Sequence, residues 1–327
     1  MIPNQWYAIL ESNEIKKGKL IGVTRMGEKM VAWRNNKGKL SVMIDKCPHR
    51  GVAFSAGKVI EDCIQCPFHG FEFDPSGACV LVPAMGGKSE PPKALHVRSY
   101  PVREEHGFVY LWWGEVQGEY PPVPWFESIG DDMVYTTLRD RWANHYAWAI
   151  ENQLDAVHLP FIHKTTIGRG NKTLVNGPLA IEESYWPGDH LINLWVHNEV
   201  DNGQRSKKPS ELPQPNRRPF LQFRYGNIWH NWIADGIRVM IAFAPIDLEN
   251  TMMYIRYYHT VRFPVLRQVT GWIGSLANLL IERQDRRVVI TQRPTRPDLG
   301  IGEILIQGDN PIILYRKIRR ALLEGSR

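Results

Sequence analysis

The sequence has few cysteines and no long uncharged hydrophobic run. Four of its 327 residues are cysteines, and all of them lie between positions 47 and 79. So few thiols in one cluster do not suit a secreted disulfide scaffold, and they favour metal ligation. The most apolar stretches, such as "GIRVMIAFAPI" at 236–246, are short and carry charge, so we expect neither a signal peptide nor a membrane-spanning helix. We therefore expect a soluble, cytoplasmic protein.

A strong charge of one sign is also missing. The formal net charge is +6, and the basic clusters "RRPF", "RQDRR" and "RKIRR" are short. None of them alternates with aromatic residues as a nucleic-acid groove does, so we expect no nucleic-acid partner. A mildly basic surface instead suits the docking of an acidic electron-carrier protein.

The chain is long enough for two domains of roughly 150 residues each. Short strands and turns over residues 5–113 predict an all-β domain, and the Pro- and Gly-rich segment 114–132 predicts a boundary near residue 120. Residues 121–327 are predicted to form the second domain. They are predicted to contain a helix over 141–161, polar loops over 165–218 and alternating strands over 219–261.

A long amphipathic helix is predicted after Pro264, so the second domain is assigned to the α+β class. The apolar stripe of this helix is predicted to consist of Val269, Trp272, Leu276, Leu280 and Val288.

Two short motifs of nearly the same wording, "CPHRG" at 47–51 and "CPFHG" at 66–70, carry one thiol and one imidazole each. A structural zinc site also uses two Cys and two His, although zinc fingers usually take a Cys pair from one arm and a His pair from the other. Mixed arms favour a [2Fe-2S] cluster in which one iron binds both cysteines and the other binds both histidines. The candidate ligands are Cys47, His49, Cys66 and His69.

A second candidate site lies in "ENQLDAVHLPFIH" at 151–163, which places Asn152, Asp155, His158 and His163 at short intervals. On a regular helix the two histidines, five positions apart, would point about 140° away from each other. They can reach one ion only if the helix breaks between them. We expect this break at Pro160, which cannot continue the hydrogen-bond ladder.

Iron(II) sites that activate oxygen prefer a carboxylate as the third protein ligand. The best candidate is Asp285, a lone acid on an apolar stretch of the predicted long helix, and Glu282 is the rival. A solvated salt bridge between Asp285 and Arg283, Arg286 or Arg287 is the alternative without a metal.

Taken together, "CPHRG", "CPFHG", "ENQLDAVHLPFIH" and "QDRRVVITQRPTR" resemble the oxygenase α subunit of Rieske non-haem iron oxygenases over about residues 5–327. The resemblance implies an N-terminal Rieske domain and a helix-grip catalytic domain. It implies that the cluster ligands are Cys47, His49, Cys66 and His69. It further implies that the mononuclear Fe(II) ligands are His158, His163 and Asp285. Asp155 matches the family's bridging aspartate, which links neighbouring subunits of a head-to-tail homotrimer.

The resemblance also implies the activity. Electrons would come from NAD(P)H through a separate ferredoxin and/or flavin reductase, and O₂ would hydroxylate or oxidatively demethylate a small aromatic, polycyclic or alkaloid-like substrate. The length of the chain and the position of Asn152 favour the hydroxylase and demethylase branch over arene cis-dihydroxylation, which is the alternative. A Rieske electron carrier with an inert second domain and a zinc-stabilised binding protein are the alternatives outside this enzyme class.

The strands of residues 219–261 are expected to line the substrate pocket. The polar candidates for orienting a substrate are Asn152, Gln222, Asn231 and Arg238. The apolar wall candidates are Phe223, Trp229, Trp232, Met240, Phe243 and Met253. Because side chains alternate along a strand, only about half of these can face the pocket.

Overall fold

The computed structural model describes residues 1–168, 174–186 and 188–325. It divides the chain into two compact units. The first contains Met1 and Trp6–Val123, and the second contains Ile2–Gln5 and Pro124–Arg327.

The first unit is built from strands, as predicted. Its strands are β1 (Gln5–Glu11), β2 (Leu20–Arg25), β3 (Glu28–Arg34), β4 (Leu40–Ile44), β5 (Lys58–Ile60), β6 (Cys63–Gln65), β7 (Glu72–Phe73), β8 (Cys79–Leu81), β9 (Ser99–Tyr100), β10 (Val102–Glu105) and β11 (Phe108–Trp113). They form three sheets, with the strand orders β1-β11-β10, β2-β3-β4-β9 and β5-β6-β7-β8. The two cysteine motifs are the loops that follow β4 and β6.

The cysteines of these two loops belong to a hydrophobic core. Cys47 and Cys66 are buried together with Trp33, Phe54 and Phe73. Burial of large aromatic side chains contributes strongly to stability, so the base of each loop is fixed by the packed interior beneath it.

The second unit contains helices and a seven-stranded antiparallel sheet with the order β12-β20-β19-β18-β17-β15-β14, and its strands β13 and β16 form a separate two-stranded sheet. Its strands are β12 (Val134–Trp142), β13 (Leu174–Val175), β14 (Pro178–Glu183), β15 (Leu191–Val196), β16 (Glu199–Val200), β17 (Leu221–Arg224), β18 (Ile228–Ala234), β19 (Ile237–Pro245) and β20 (Thr251–His259). Its helices are α1 (Tyr146–Leu154), α2 (Leu159–Ile162), α3 (Pro264–Val289) and α4 (Asn310–Glu324). Helix α3 packs on β12 and β20, and α4 packs on β14 and β15. The α+β class is confirmed.

Two sequence predictions for this unit are wrong. The segment predicted as loops over 165–218 contains β14 and β15, which pair along their whole length, and "LINLWV" is apolar at five of its six positions, as suits a buried strand. The helix predicted over 141–161 begins only at Tyr146, after a strand that runs to Trp142. Its start is fixed by His145, whose Nδ1 accepts a hydrogen bond from the Ala147 N–H.

The helix predicted after Pro264 is present as α3, but its apolar stripe does not face the sheet. Its members are 40 to 63 % exposed, namely Val269, Trp272, Leu276, Leu280 and Val288. The helix instead turns its small residues toward the sheet. A Cβ added to Gly271 would lie 2.3 Å from Thr136 Oγ1 on β12, and one added to Gly274 would lie 2.4 Å from the Tyr257 ring on β20. The glycines therefore let the helix backbone approach the sheet more closely than an apolar stripe would.

No helix in the described part of the chain combines the length and the apolarity that crossing a membrane requires.

Candidate functional site

The two cysteine loops of the first unit have the same backbone hydrogen bond. The Gly51 N–H donates to the Cys47 carbonyl at 2.8 Å, and the Gly70 N–H donates to the Cys66 carbonyl at 3.1 Å. Both glycines have a positive φ, +74° and +71°, which other residues rarely adopt. The repeated wording of the sequence therefore produces two loops of matching backbone geometry.

The loops bury their thiols and expose their imidazoles. Cys47 and Cys66 are each 2 % exposed, and burial raises the pKa of the Cys47 thiol to about 11. His49 and His69 are exposed, with ring centroids 4.7 Å apart, and His49 stacks on Phe71. Two buried soft ligands beneath two exposed imidazoles fit a [2Fe-2S] cluster whose histidine-bound iron faces the surface.

The second candidate site begins at a break between α1 and α2. Helix α1 ends before Asp155, which has extended backbone angles and whose Oδ1 accepts the Val157 N–H at 2.7 Å. The prediction that Pro160 causes the break is wrong. Pro160 lies in the first turn of α2, where a missing N–H costs nothing, because the first donors of a helix have no partner anyway. The chain between Asp155 and α2 turns His158 and His163 toward each other.

Three ligand atoms from His158, His163 and Asp285 converge at this place. The two histidine Nε2 atoms lie 3.2 Å apart, and Asp285 Oδ1 lies 3.4 Å from the first and 3.0 Å from the second. Metal–ligand bonds of about 2.1 Å at right angles would place ligand atoms about 3.0 Å apart. Asp285 Oδ1 is buried and has no hydrogen-bond donor in good geometry. The three residues therefore fit a single cation.

Two alternatives to Asp285 as a metal ligand were a salt bridge to a neighbouring arginine and the use of Glu282 instead. Arg286 pairs with Asp140 at 3.2 Å instead. Glu282, one helical turn earlier, is buried and accepts a hydrogen bond from Gln153 Nε2 at 3.0 Å. Burial and the charge of nearby Asp285 raise the pKa of Glu282 well above its usual range.

Both histidines of the candidate iron site have a polar neighbour at the ring nitrogen that faces away from the site. His163 Nδ1 lies 2.8 Å from Gln284 Oε1, and His158 Nδ1 lies 3.5 Å from Asp155 Oδ2. The contact with Gln284 is a hydrogen bond, which fixes the orientation of the His163 imidazole, whereas His158 Nδ1 is buried without a hydrogen-bond partner among the described residues. Sequence reasoning missed Gln284, and nothing in its spacing distinguishes it from any other polar residue beside Asp285.

A cavity of about 120 Å³ opens beside the three ligand atoms. Its walls come from the end of α1, from β17 to β19 and from α3. Its lining includes Asn152, Leu221, Trp229, Asn231, Val239, Ile281 and Glu282. Two of the four polar pocket candidates, Asn152 and Asn231, therefore lie at this cavity.

The other two polar candidates lie elsewhere. On β17 the cavity is lined by Leu221, so Gln222 points to the other face of the sheet, where its Nε2 donates to Asn193 Oδ1 at 2.7 Å. Arg238 stacks on Trp232 at 3.3 Å and donates to backbone carbonyls of its own hairpin. Of the six apolar wall candidates, Trp229 lines the cavity.

Comparison with known families assigns both units. Residues 5–101 match the Rieske [2Fe-2S] domain, and residues 142–325 match the vanillate O-demethylase oxygenase C-terminal domain. The second match covers more than half of the chain. The chain therefore belongs to the Rieske oxygenases, and its catalytic unit belongs to the vanillate O-demethylase type.

Individual relatives agree with this assignment. The iron-sulfur subunit TsaM1 of the toluene-4-sulfonate monooxygenase system of Comamonas testosteroni is 29 % identical over 200 residues, covering 61 % of this chain and 56 % of the relative. The chain thus spans little more than half the length of this curated relative.

Two solved structures show the same fold. Dicamba monooxygenase bound to dicamba has 19 % identity and a TM-score of 0.69, covering 100 % of this chain and 99 % of that one. The reduced complex between oxygenase and ferredoxin in carbazole 1,9a-dioxygenase gives a TM-score of 0.75 at 19 % identity, covering 97 % and 88 %.

Proposed function

We propose that the chain is the terminal oxygenase component of a multi-protein system that hydroxylates or oxidatively demethylates a small organic molecule with O₂. The observation that carries this proposal is the set of three ligand atoms, 3.0 to 3.4 Å apart, at the wall of a cavity in a Rieske oxygenase. Two monooxygenases and an O-demethylase family, against one dioxygenase, stand among the relatives reported above, and this majority supports one-atom oxygenation over arene cis-dihydroxylation.

The proposed function assigns the candidate ligands to two metal sites. Cys47, His49, Cys66 and His69 would hold the cluster. His158, His163 and Asp285 would hold a mononuclear Fe(II), which when bound supplies the activation of oxygen. Gln284 keeps the His163 imidazole oriented, and Asp155 lies beside the His158 imidazole. The largely apolar cavity holds the substrate while limiting the access of water.

The electrons need an external source. We assign this role to a ferredoxin and/or a flavin reductase that draws on NAD(P)H, and the ferredoxin complex of carbazole 1,9a-dioxygenase supports such a partner. The head-to-tail homotrimer stays a prediction. Asp155, whose side chain is 27 % exposed beside His158, is the residue through which this prediction can be tested.

The test is O₂ uptake by the iron-loaded protein with a surrogate reductase and a panel of small ring compounds. We expect uptake that requires both the reductase and a substrate, with formation of a hydroxylated or demethylated product. In Asp285→Ala the uptake should disappear while the visible spectrum of the cluster remains. Equal uptake by Asp285→Ala and the wild type would contradict the proposal.

A further inference from the structure

Asn231 occupies an unfavourable position for an amide. It pairs with Leu221 on one neighbouring strand and with Val239 on the other, and all three side chains line the cavity beside the candidate iron site. Its Oδ1 is buried and has no hydrogen-bond partner among the described residues. A buried polar atom without a partner destabilises the fold, so an amide in an apolar row suggests a role in binding.

The same cavity has two more unpaired polar atoms. Asn152 Nδ2, at the last turn of α1, and Trp229 Nε1, two positions before Asn231 on β18, are buried without partners among the described residues. Each amide can both donate and accept, so the conclusion does not depend on which way either amide is turned. Donor and acceptor capacity for a ligand is therefore present at this one cavity.

The cavity offers little to an anion. Among the lining residues that the structure describes, none is Lys or Arg, and Glu282 contributes a buried carboxyl group. A carboxylate or sulfonate would have to leave water without gaining a cationic side chain in return, so its compensation would have to come from a bond to the iron itself.

The volume indicates the size of the group that the cavity can enclose. An apolar cavity of about 150 Å³ in another protein binds benzene. The cavity of about 120 Å³ therefore suits a molecule with one ring.

We propose that Asn152 and Asn231 select an uncharged, single-ring substrate whose polar group both donates and accepts hydrogen bonds, such as an amide, a lactam or a hydroxyl group. An anion of the same shape is rejected. This proposal deepens the proposed function, because the molecule that the two asparagines orient is the one to be oxygenated.

Benzamide and benzoate form the matched probe pair, because they share one shape and differ in charge. Their affinities for the holoenzyme under nitrogen are measured by calorimetry, together with that of toluene. We expect benzamide to bind at least about tenfold more tightly than benzoate. Asn231→Leu should weaken the binding of benzamide at least about tenfold and leave the binding of toluene unchanged or tighter. Equal binding of the two probes, or no binding of benzamide, would overturn the proposal.

Two controls separate selection from a structural role. Asn278 also lines the cavity, but its Nδ2 already donates to the Gly274 carbonyl at 2.7 Å, so Asn278→Ala should keep the preference for benzamide. Removing the unpaired amide should leave the Tm of ligand-free Asn231→Leu equal to or above that of the wild type. A lower Tm with an unchanged preference would assign Asn231 to the fold and overturn the proposal.

Calorimetry does not need turnover, so the two proposals can fail separately. A preference for benzamide in a protein that never consumes O₂ refutes the oxygenase and supports the selectivity. Substrate-dependent O₂ uptake in a protein that binds benzoate as well as benzamide supports the oxygenase and refutes the selectivity.

Discussion

Cys66 and His158 belong to ligand sets in different units of the chain, so their loss should have different signatures. The wild type is expected to carry about three irons and two labile sulfides per chain. Cys66→Ala should remove the visible absorption, because the cluster loses a thiolate. His158→Ala should keep the colour and lose about one iron. Visible spectra and iron analysis check both results, and an unchanged spectrum in Cys66→Ala would falsify the cluster assignment.

Asp285 and Glu282 are both buried acids of α3, but only Asp285 lies against the two histidines. Asp285→Ala should therefore lose the mononuclear iron, whereas Glu282→Ala should retain it. Metal analysis of the purified variants is the measurement. Loss of iron from Glu282→Ala alone would shift the ligand by one helical turn.

Asp155→Asn tests the assembly into a ring. If Asp155 only orients His158, the change should weaken iron binding by about 10- to 100-fold. If it links the metal sites of two subunits, both sites should stay filled and the reduced cluster should persist with substrate and O₂ present. A single-turnover mix of pre-reduced protein, substrate and O₂ at equal iron content follows cluster reoxidation. Wild-type rates in the variant would refute the link between subunits.

The sequence was sufficient to propose the residues of both sites, because the ligands are chemically distinctive and closely spaced. The structure brings His158, His163 and Asp285 together, and their role as ligands stays a proposal. Gln284 could not be predicted, because its role arises only when α3 packs beside the loop that carries His163. The sequence predicts the break at Pro160, whereas the structure has it at Asp155, because a side chain that accepts a backbone N–H ends a helix without a proline.

Among the elements, α3 shows where periodicity fails. Apolar spacing predicted the face of the helix that the structure exposes, while the buried face contains Gly271, Ser275, Glu282, Asp285 and Val289. The glycines permit close approach of the helix backbone to the sheet. Asp285 lies against the two histidines, and Glu282 lines the cavity beside them. Neither property is visible to a pattern that counts only apolar residues.

The packing of α3 predicts opposite effects for two neighbouring residues. Gly274→Ala would press a methyl group onto the Tyr257 ring and should lower the free energy of unfolding by about 1 to 3 kcal/mol. Trp272→Gln, on the exposed face, should change it by less than about 0.5 kcal/mol. Urea unfolding followed by circular dichroism measures both. A larger loss for Trp272→Gln would mean that this face packs against something in solution.

For the molecule as a whole, the family and both domain types followed from the motifs, but the edge of the large sheet did not. The strands β14 and β15 lie in a segment whose polar stretches predicted loops. Their pairing with each other and with β17 depends on contacts between distant residues, which local patterns do not report.

Two buried histidines of the second unit should make the stability of the protein sensitive to acid. Burial, followed by nearby arginine charges, lowers the pKa values of His145 and His230 from 6.5 to about 3. Since both folded pKa values lie below the unfolded value, the stabilisation is complete above pH 6.5 and is lost as the pH falls toward 3. Each group can contribute up to about 1.4 kcal/mol per pH unit.

Urea unfolding between about pH 7.5 and pH 5 measures this effect. His230→Gln should show a smaller loss of stability over this range than the wild type, by up to about 2 kcal/mol. The metal ligands are the same in both proteins, so their own titration cancels in the comparison. Identical pH profiles would show that the pKa of His230 is the same in the folded and unfolded protein, and would contradict the lowered value.

The hydrogen bond between His163 and Gln284 joins positions 121 residues apart, so an ion held by His158, His163 and Asp285 closes a very long loop. A cross-link of this kind removes many conformations from the chain, and the conformational entropy removed grows with the logarithm of the loop length. By mass action, free metal at a hundred times its Kd adds about 2.7 kcal/mol to the stability of the folded form. Treatment with a chelator should therefore lower the Tm of the wild type and leave that of Asp285→Ala unchanged, because an ion at the proposed site would tie α3 to the segment that carries His158 and His163.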